Sequence, residues 1–202
     1  MSEFASLPPD LPVPEDDGAA DHLPGAELPS VSLPIAGGGQ FDFRGSEAAG
    51  TLVAFVYPRT GTPGRRLPPG WDDIPGARGC TPQSCAFRDR YEALTGLGAT
   101  VVGISAMDPG EQAAFAEREE IPYPLLNDGP LVLRDELGLP TFDVHGMVLY
   151  RRLAFVAEGG RIEKVFYPVF PPDRNAAEVE EWLRALGRKH SARPSSRGWS
   201  NP

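Results

Sequence analysis

The residues of this sequence best suited to chemistry are its two cysteines, Cys80 and Cys85, which lie five positions apart. They follow a loop rich in proline and glycine. After them Phe87, Tyr91 and Leu94 recur at three- and four-residue steps, which is typical of one face of a helix. A thiol at the start of a helix meets unpaired N–H groups and the positive end of the helix dipole, and both favour the thiolate. The pair is either reactive or two small apolar side chains in a core, and the loop favours reactivity.

Thr81 and Pro82 match the N-cap and the first residue of the predicted helix. Cys80 then lies in or just before the first turn. If residues 80–85 are all helical, the two sulfurs start about 7.5 Å apart along the axis and face different sides. A disulfide would need backbone movement. The spacing therefore suits a cycle in which one cysteine reacts on the intact helix and the other resolves it when the first turn melts.

The segment 79–89 reads Gly-Cys-Thr-Pro-Gln-Ser-Cys-Ala-Phe-Arg-Asp. It resembles the active-site segment of the atypical two-cysteine peroxiredoxins of the bacterioferritin-comigratory (Q) subfamily. A weaker resemblance extends from about Leu28 to Leu186. The resemblance implies a thioredoxin-dependent peroxidase, in which a hydroperoxide oxidises Cys80 to a sulfenic acid and Cys85 condenses with it to a disulfide. A thioredoxin-like dithiol would then regenerate both thiols.

The resemblance also implies roles for Pro58 and Thr62, and here the sequence departs from the family. Pro58 would shield the thiolate from water, although a proline that ends a strand needs no function. In relatives the reactive cysteine follows the threonine by three residues, whereas an insert, residues 65–79, precedes Cys80 here. The insert either folds over the pocket and returns Thr62 to the sulfur, or leaves Thr62 as a plain turn residue. Its possible apolar anchors are Leu67, Trp71 and Ile74.

An arginine near the sulfur is a further implication of the resemblance, because a guanidinium stabilises both the thiolate and the charge that develops on the peroxide. In relatives this arginine begins a strand that reads Arg-x-x-Phe, then a hydrophobic pair and an acidic turn. Arg152 matches with one residue missing, and Arg151 fits if the gap lies elsewhere. Neighbours on a strand face opposite sides, so only one can point at Cys80. Arg152 is the favoured candidate.

The predicted elements follow the order of a thioredoxin-like α/β fold. A small N-terminal β-hairpin precedes a parallel βαβ unit, which an antiparallel hairpin and an amphipathic helix complete. We therefore expect a central mixed sheet flanked by helices. A further helix is predicted to begin at Pro109, with Asp108 as its cap. The main predicted segments are the hairpin at 30–44, strands at 52–57, 99–105, 147–157 and 161–168, and helices at 82–97, 131–137 and 176–186.

Composition predicts one domain, residues 28–187, between two tails. Residues 1–27, rich in proline and acidic residues, predict a flexible tail, and residues 188–202 a disordered one. The formal net charge of −9 disfavours nucleic-acid and anionic-membrane partners. No run reaches the length of a membrane span, and the first residues lack the pattern of a signal peptide. A cytoplasmic location follows by default, and there two close cysteines are more often redox-active than structural.

No cofactor or metal is expected, since two cysteines and three scattered histidines supply no ligand cluster. The relatives imply a monomer or weak dimer. Two other functions stay open. A thiol–disulfide oxidoreductase of similar fold normally carries its cysteines two residues apart, unlike this pair. A non-catalytic thioredoxin-fold binding module would use the insert as its contact surface.

Overall fold

The structure is a computed structural model of the chain, and it describes Phe4, residues 6–46 and residues 50–191. The strands in chain order are β1 (Ser32–Pro34), β2 (Gln40–Asp42), β3 (Thr51–Val56), β4 (Ala99–Ser105), β5 (Leu125–Asn127), β6 (Thr141–Val144), β7 (Met147–Tyr150), β8 (Leu153–Glu158) and β9 (Arg161–Phe166). The α-helices are α1 (Phe43–Ser46), α2 (Cys80–Asp89), α3 (Tyr91–Gly96), α4 (Pro109–Arg118), α5 (Val132–Leu137) and α6 (Asn175–Ser191). Two short 3-10 helices span Trp71–Asp73 and Pro172–Arg174.

Within the described residues, the centre of the fold is a five-stranded sheet of order β5-β4-β3-β8-β9. Strands β3, β4 and β5 run parallel, whereas β8 is antiparallel to β3 and β9 is antiparallel to β8. The pair β3–β4 is the predicted parallel unit, and β8–β9 is the predicted antiparallel hairpin. The expected α/β class with a central mixed sheet is confirmed.

Alternate residues of β3 face two different cores, as the pleat of a strand requires. Val53 and Phe55 pack on the side of α2, α3, α4 and α6, whereas Leu52 and Ala54 pack on the side of α1 and α5. The ring of Phe55 stacks on Phe87 of α2, with centroids 4.3 Å apart and planes 6° apart. This stack fixes α2 on the sheet, near the carboxyl end of β3.

Some of the helices and strands predicted from the sequence are confirmed, and others differ. The β1–β2 hairpin is confirmed, and the Asp108 carboxylate accepts a hydrogen bond of 2.9 Å from the N–H of Glu111, as a helix cap does. The helix predicted at 82–97 is instead two helices, because Arg90 between α2 and α3 leaves the helical conformation. Strand β6 was not predicted; it pairs with β7.

The predicted N-terminal tail differs from the structure over its described residues. Leu23 is completely buried in the core beside α5, and the N–H of Gly25 donates to the carbonyl of Ile162 at 2.7 Å. A few well-placed apolar side chains are enough to dock such a segment, and composition alone does not reveal them. At the other end, α6 includes residues 188–191, which the sequence assigned to a disordered tail. Residues 192–202 lie outside the described part.

The insert packs against the β6–β7 hairpin. Trp71, 2% exposed, and Ala77 form a small core with Val144 and Leu149. Leu67 and Ile74 border the same cluster, so all three predicted anchors are confirmed. In the part of the chain that the structure describes, no helix combines the length and the apolar character needed to cross a membrane.

Candidate active site

Cys80 is the first residue of α2 and is almost completely buried. Gly79, not the predicted Thr81, precedes the helix as its N-cap. Gly79 has a φ of 103°, and a Cβ atom there would lie 2.3 Å from Pro172 and 2.9 Å from Leu7. Only glycine fits both the backbone conformation and this close approach. The glycine thus sets the corner from which Cys80 enters the helix.

An arginine lies directly against the sulfur. Nη2 of Arg152 donates to Sγ of Cys80 at 3.2 Å, and Arg152 is 3% exposed. Its neighbour Arg151 is exposed and forms an ion pair with Asp17 at 3.0 Å. The structure therefore places Arg152, and not Arg151, beside Cys80.

The guanidinium of Arg152 is held by neutral acceptors. It donates to the backbone carbonyls of Gly76, Ala77 and Arg78 at 3.1–3.2 Å, and Nη1 donates to Oε1 of Gln83. Within the described residues, no carboxylate forms an ion pair with it. Because a buried cation needs compensation and these carbonyls carry no net charge, the guanidinium is placed to stabilise negative charge that develops at Sγ of Cys80.

Gln83 and Asn175 are positioning residues whose contacts the sequence did not reveal. Gln83 is fully buried, accepts from Arg152, and donates from Nε2 to Oδ1 of Asn175 at 2.9 Å. Asn175 begins α6 and is also fully buried. The only sequence signal was the glutamine between the two cysteines; the contact with Asn175 joins residues far apart in the chain.

Cys85 lies on the same helix and is half-buried, and both thiols are free. Its sulfur is 3.9 Å from a carboxylate oxygen of Glu119. Burial raises the pKa of the Cys85 thiol; the charge of Arg88 acts in the opposite direction, and the carboxylates of Glu119 and Asp89 raise the pKa further. In this helical conformation Cys85 is therefore a protonated thiol at neutral pH.

Pro58 and Thr62 are the other two residues to which the family resemblance assigns a role. Pro58 is buried just after β3, and its carbonyl accepts a hydrogen bond of 2.8 Å from the hydroxyl of Ser105. Thr62 lines a surface groove with Arg65 and Glu111. It is not among the described residues that line the pocket at Cys80. The structure brings Cys80 and Arg152 together without Thr62.

The pocket at Cys80 is small, with a volume of about 10 Å³. Its walls come from α2, from the loop after β3, from the insert and from Phe4 near the chain start. The lining residues are Phe4, Arg59, Gly61, Leu67, Trp71, Ala77, Arg78, Gly79, Cys80 and Thr81. Among the described residues, no group of three histidine, cysteine or acidic side chains is placed to hold a metal ion.

Comparisons with known proteins identify the family of the chain. The family model described as Redoxin matches residues 23–183. The chain is 30% identical over 180 residues to the chloroplastic peroxiredoxin Q of Gentiana triflora, and 33% identical over 135 residues to that of Populus jackii. These matches cover 89% and 67% of this chain, but the chain spans only 66% and 56% of the two relatives.

Solved structures give the same result. The peroxidoxin BcpB of Mycobacterium tuberculosis is similar with a TM-score of 0.66 and 27% identity, over 81% of this chain and 97% of that one. The bacterioferritin comigratory protein of Xanthomonas campestris has a TM-score of 0.63 at 22% identity, over 79% of this chain and 96% of that one, which shows a shared fold. Together with the match over residues 23–183, these likenesses show that the chain belongs to the redoxin family, within its peroxiredoxin Q (bacterioferritin-comigratory) type.

Proposed function

We propose that the chain is a thiol peroxidase in which Cys80 reduces hydroperoxides. The observation that carries this proposal is the distance of 3.2 Å between Nη2 of Arg152 and Sγ of Cys80, both buried at the start of α2. A guanidinium and a helix N-terminus both favour the thiolate, which is the nucleophilic form of cysteine. The relatives support it: two plant relatives are named peroxiredoxin Q, and the Xanthomonas campestris structure is described with alkyl peroxide reduction activity.

In the first step, the Cys80 thiolate attacks the terminal oxygen of the hydroperoxide. A sulfur–oxygen bond forms while the oxygen–oxygen bond breaks, and the leaving alkoxide takes up a proton to become an alcohol. The sum is one thiol and one hydroperoxide converted to a sulfenic acid and an alcohol, or water in the case of hydrogen peroxide. Arg152 stabilises the negative charge that develops on the oxygens.

We assign the second step to Cys85. Its thiol condenses with the Cys80 sulfenic acid, which releases water and forms an intramolecular disulfide. On the intact helix the two sulfurs start about 7.5 Å apart along the axis, so the first turn of α2 unwinds before the bond forms. A thioredoxin-like dithiol then restores both thiols by exchange. That reductant, the monomeric or weakly dimeric state and the cytoplasmic location stay predictions.

The test is peroxide consumption by purified protein with thioredoxin, thioredoxin reductase and NADPH, together with the mass of the protein after one equivalent of peroxide. We expect the unchanged chain to lose two hydrogens and to give a peptide that links Cys80 to Cys85. Cys80→Ser should consume no peroxide, whereas Cys85→Ser should oxidise once and then stop. Normal consumption by Cys80→Ser would contradict the peroxidase proposal, and oxidation without a linked peptide would contradict the role of Cys85.

A further inference from the structure

Phe4 and Leu7, near the start of the chain, lie directly over the first turn of α2. The ring of Phe4 packs on Gly61 so closely that a Cβ atom at Gly61 would lie 2.6 Å from it. The guanidinium of Arg78 sits over the same ring, 5.2 Å from its centroid. Phe4 is consequently only 6% exposed. A bulky apolar side chain with such contacts is one wall of the pocket at Cys80.

Leu7 packs against Gly79, the residue that precedes the first turn of α2. A Cβ atom at Gly79 would lie 2.9 Å from a methyl group of Leu7. Because Gly79 immediately precedes Cys80, Leu7 packs at the start of α2, beside the pocket that Phe4 lines. None of residues 8–18 is buried. Further along, the segment is held by Asp17, which accepts a hydrogen bond of 2.8 Å from the hydroxyl of Tyr167 and forms an ion pair of 3.0 Å with Arg151.

The space left beside the sulfur is too small for an organic substituent. The pocket volume is about 10 Å³, and a cavity needs roughly 10–15 Å³ of this kind of volume to hold a single water molecule. An alkyl or aryl hydroperoxide carries several carbon atoms next to its reacting oxygens. Such a substrate reaches Cys80 only after part of this lining moves away.

We propose that Phe4, supported by Leu7, is a lid that selects hydroperoxides by size, so that it determines which substrates reach Cys80. Hydrogen peroxide needs only a small displacement of the ring, whereas a bulky organic hydroperoxide needs the ring to leave Gly61 altogether. The apparent reactivity toward a bulky reagent is then reduced by the fraction of molecules in which the lid is open. The selection of peroxides by this lid rests on the proposed function. The presence of a cover over the Cys80 thiol does not depend on that function.

The experiment uses Cys85→Ser as the background, so that Cys80 is the only thiol. Two alkylating reagents, iodoacetamide and a fluorescein maleimide, report access by size without any peroxide chemistry. Hydrogen peroxide and cumene hydroperoxide form a second pair of small and large reagents, and their rates of sulfenic acid formation are compared in the same way. We expect Phe4→Ala to raise the rates with the two large reagents about fivefold or more, and the rates with the two small ones less than about twofold.

Val13→Ala is the matched control, because Val13 lies in the same segment and is 63% exposed. It should leave all four rates unchanged, and Leu7→Ala should give a smaller increase of the same pattern. Phe4→Leu, which retains part of the ring's volume, should fall between the unchanged chain and Phe4→Ala. Equal acceleration with large and small alkylating reagents, or none, would overturn the lid. Size-dependent alkylation with no peroxide reaction in any variant would support the lid and contradict the peroxidase.

Discussion

At the scale of single residues, one guanidinium links the sulfur of Cys80 to the chain around it. Arg152 contacts Cys80 and Gln83 while it also holds three backbone carbonyls. A planar guanidinium reaches all these acceptors at once, and the ammonium group of lysine does not. The identity of residue 152, and not only its charge, therefore determines how the sulfur is held.

Arg152→Lys should lower the rate of Cys80 oxidation by hydrogen peroxide about 100-fold, as the loss of one fixed donor does in other enzymes. Arg151→Lys is the matched control, since the contacts of Arg151 are with Asp17, Thr141 and Tyr167 at the protein surface. Its rate should stay within about twofold of the unchanged chain, because exposed ion pairs contribute little. Stopped-flow measurement of sulfenic acid formation checks both; equal effects in the two variants would contradict the assigned role.

The pH dependence of Cys85 follows from its surroundings. Burial and the carboxylate of Glu119 raise the pKa of this thiol, and only the thiolate is alkylated. In Cys80→Ser protein, the rate of reaction with iodoacetamide should therefore keep rising about tenfold per pH unit beyond the range in which an ordinary thiol levels off.

Glu119→Gln removes a negative charge 3.9 Å from the sulfur, so the same profile should move to lower pH. Glu117→Gln is the control, because Glu117 is exposed and lies in the last turn of α4, two residues before Glu119. A profile that Glu119→Gln leaves in place would contradict the electrostatic part of this account.

At the scale of elements, the insert is part of the site. Trp71 anchors it on the β6–β7 hairpin, and the residues that follow supply the carbonyls that hold Arg152. The insert thus does more than cover the pocket: it fixes the guanidinium that faces Cys80.

Trp71→Ala should destabilise the fold by about 3 kcal/mol, since it empties a buried aromatic site. It should also slow Cys80 oxidation, because the carbonyls lose their support. Leu133→Ala, in the core on the other side of the sheet, should destabilise by a similar amount, about 2–5 kcal/mol, and leave that rate unchanged. Urea titration and stopped-flow oxidation of both variants separate the two effects; slowed oxidation in Leu133→Ala would assign the loss to stability alone.

At the scale of the whole molecule, the features that the sequence predicted correctly are those that depend on residues close together in the chain. The sheet and the cap at Asp108 follow from periodicity and capping chemistry, whereas Thr81, the cap predicted in the same way for α2, lies inside that helix. Thr62 and the start of the chain could not be predicted in the same way, because their positions depend on contacts with distant parts of the sequence. Leu23 reads as one leucine in a polar segment, yet it is buried against a core that forms elsewhere in the chain.

The tight cover over the sulfur also bears on how long the protein would survive its own chemistry. A sulfenic acid that meets a second oxidant becomes a sulfinic acid, which most cells cannot repair. With room for about one water molecule beside Cys80, a second bulky hydroperoxide has little space to approach until α2 opens toward Cys85. The closure that slows the entry of large substrates would then also limit irreversible oxidation of the sulfur by large hydroperoxides.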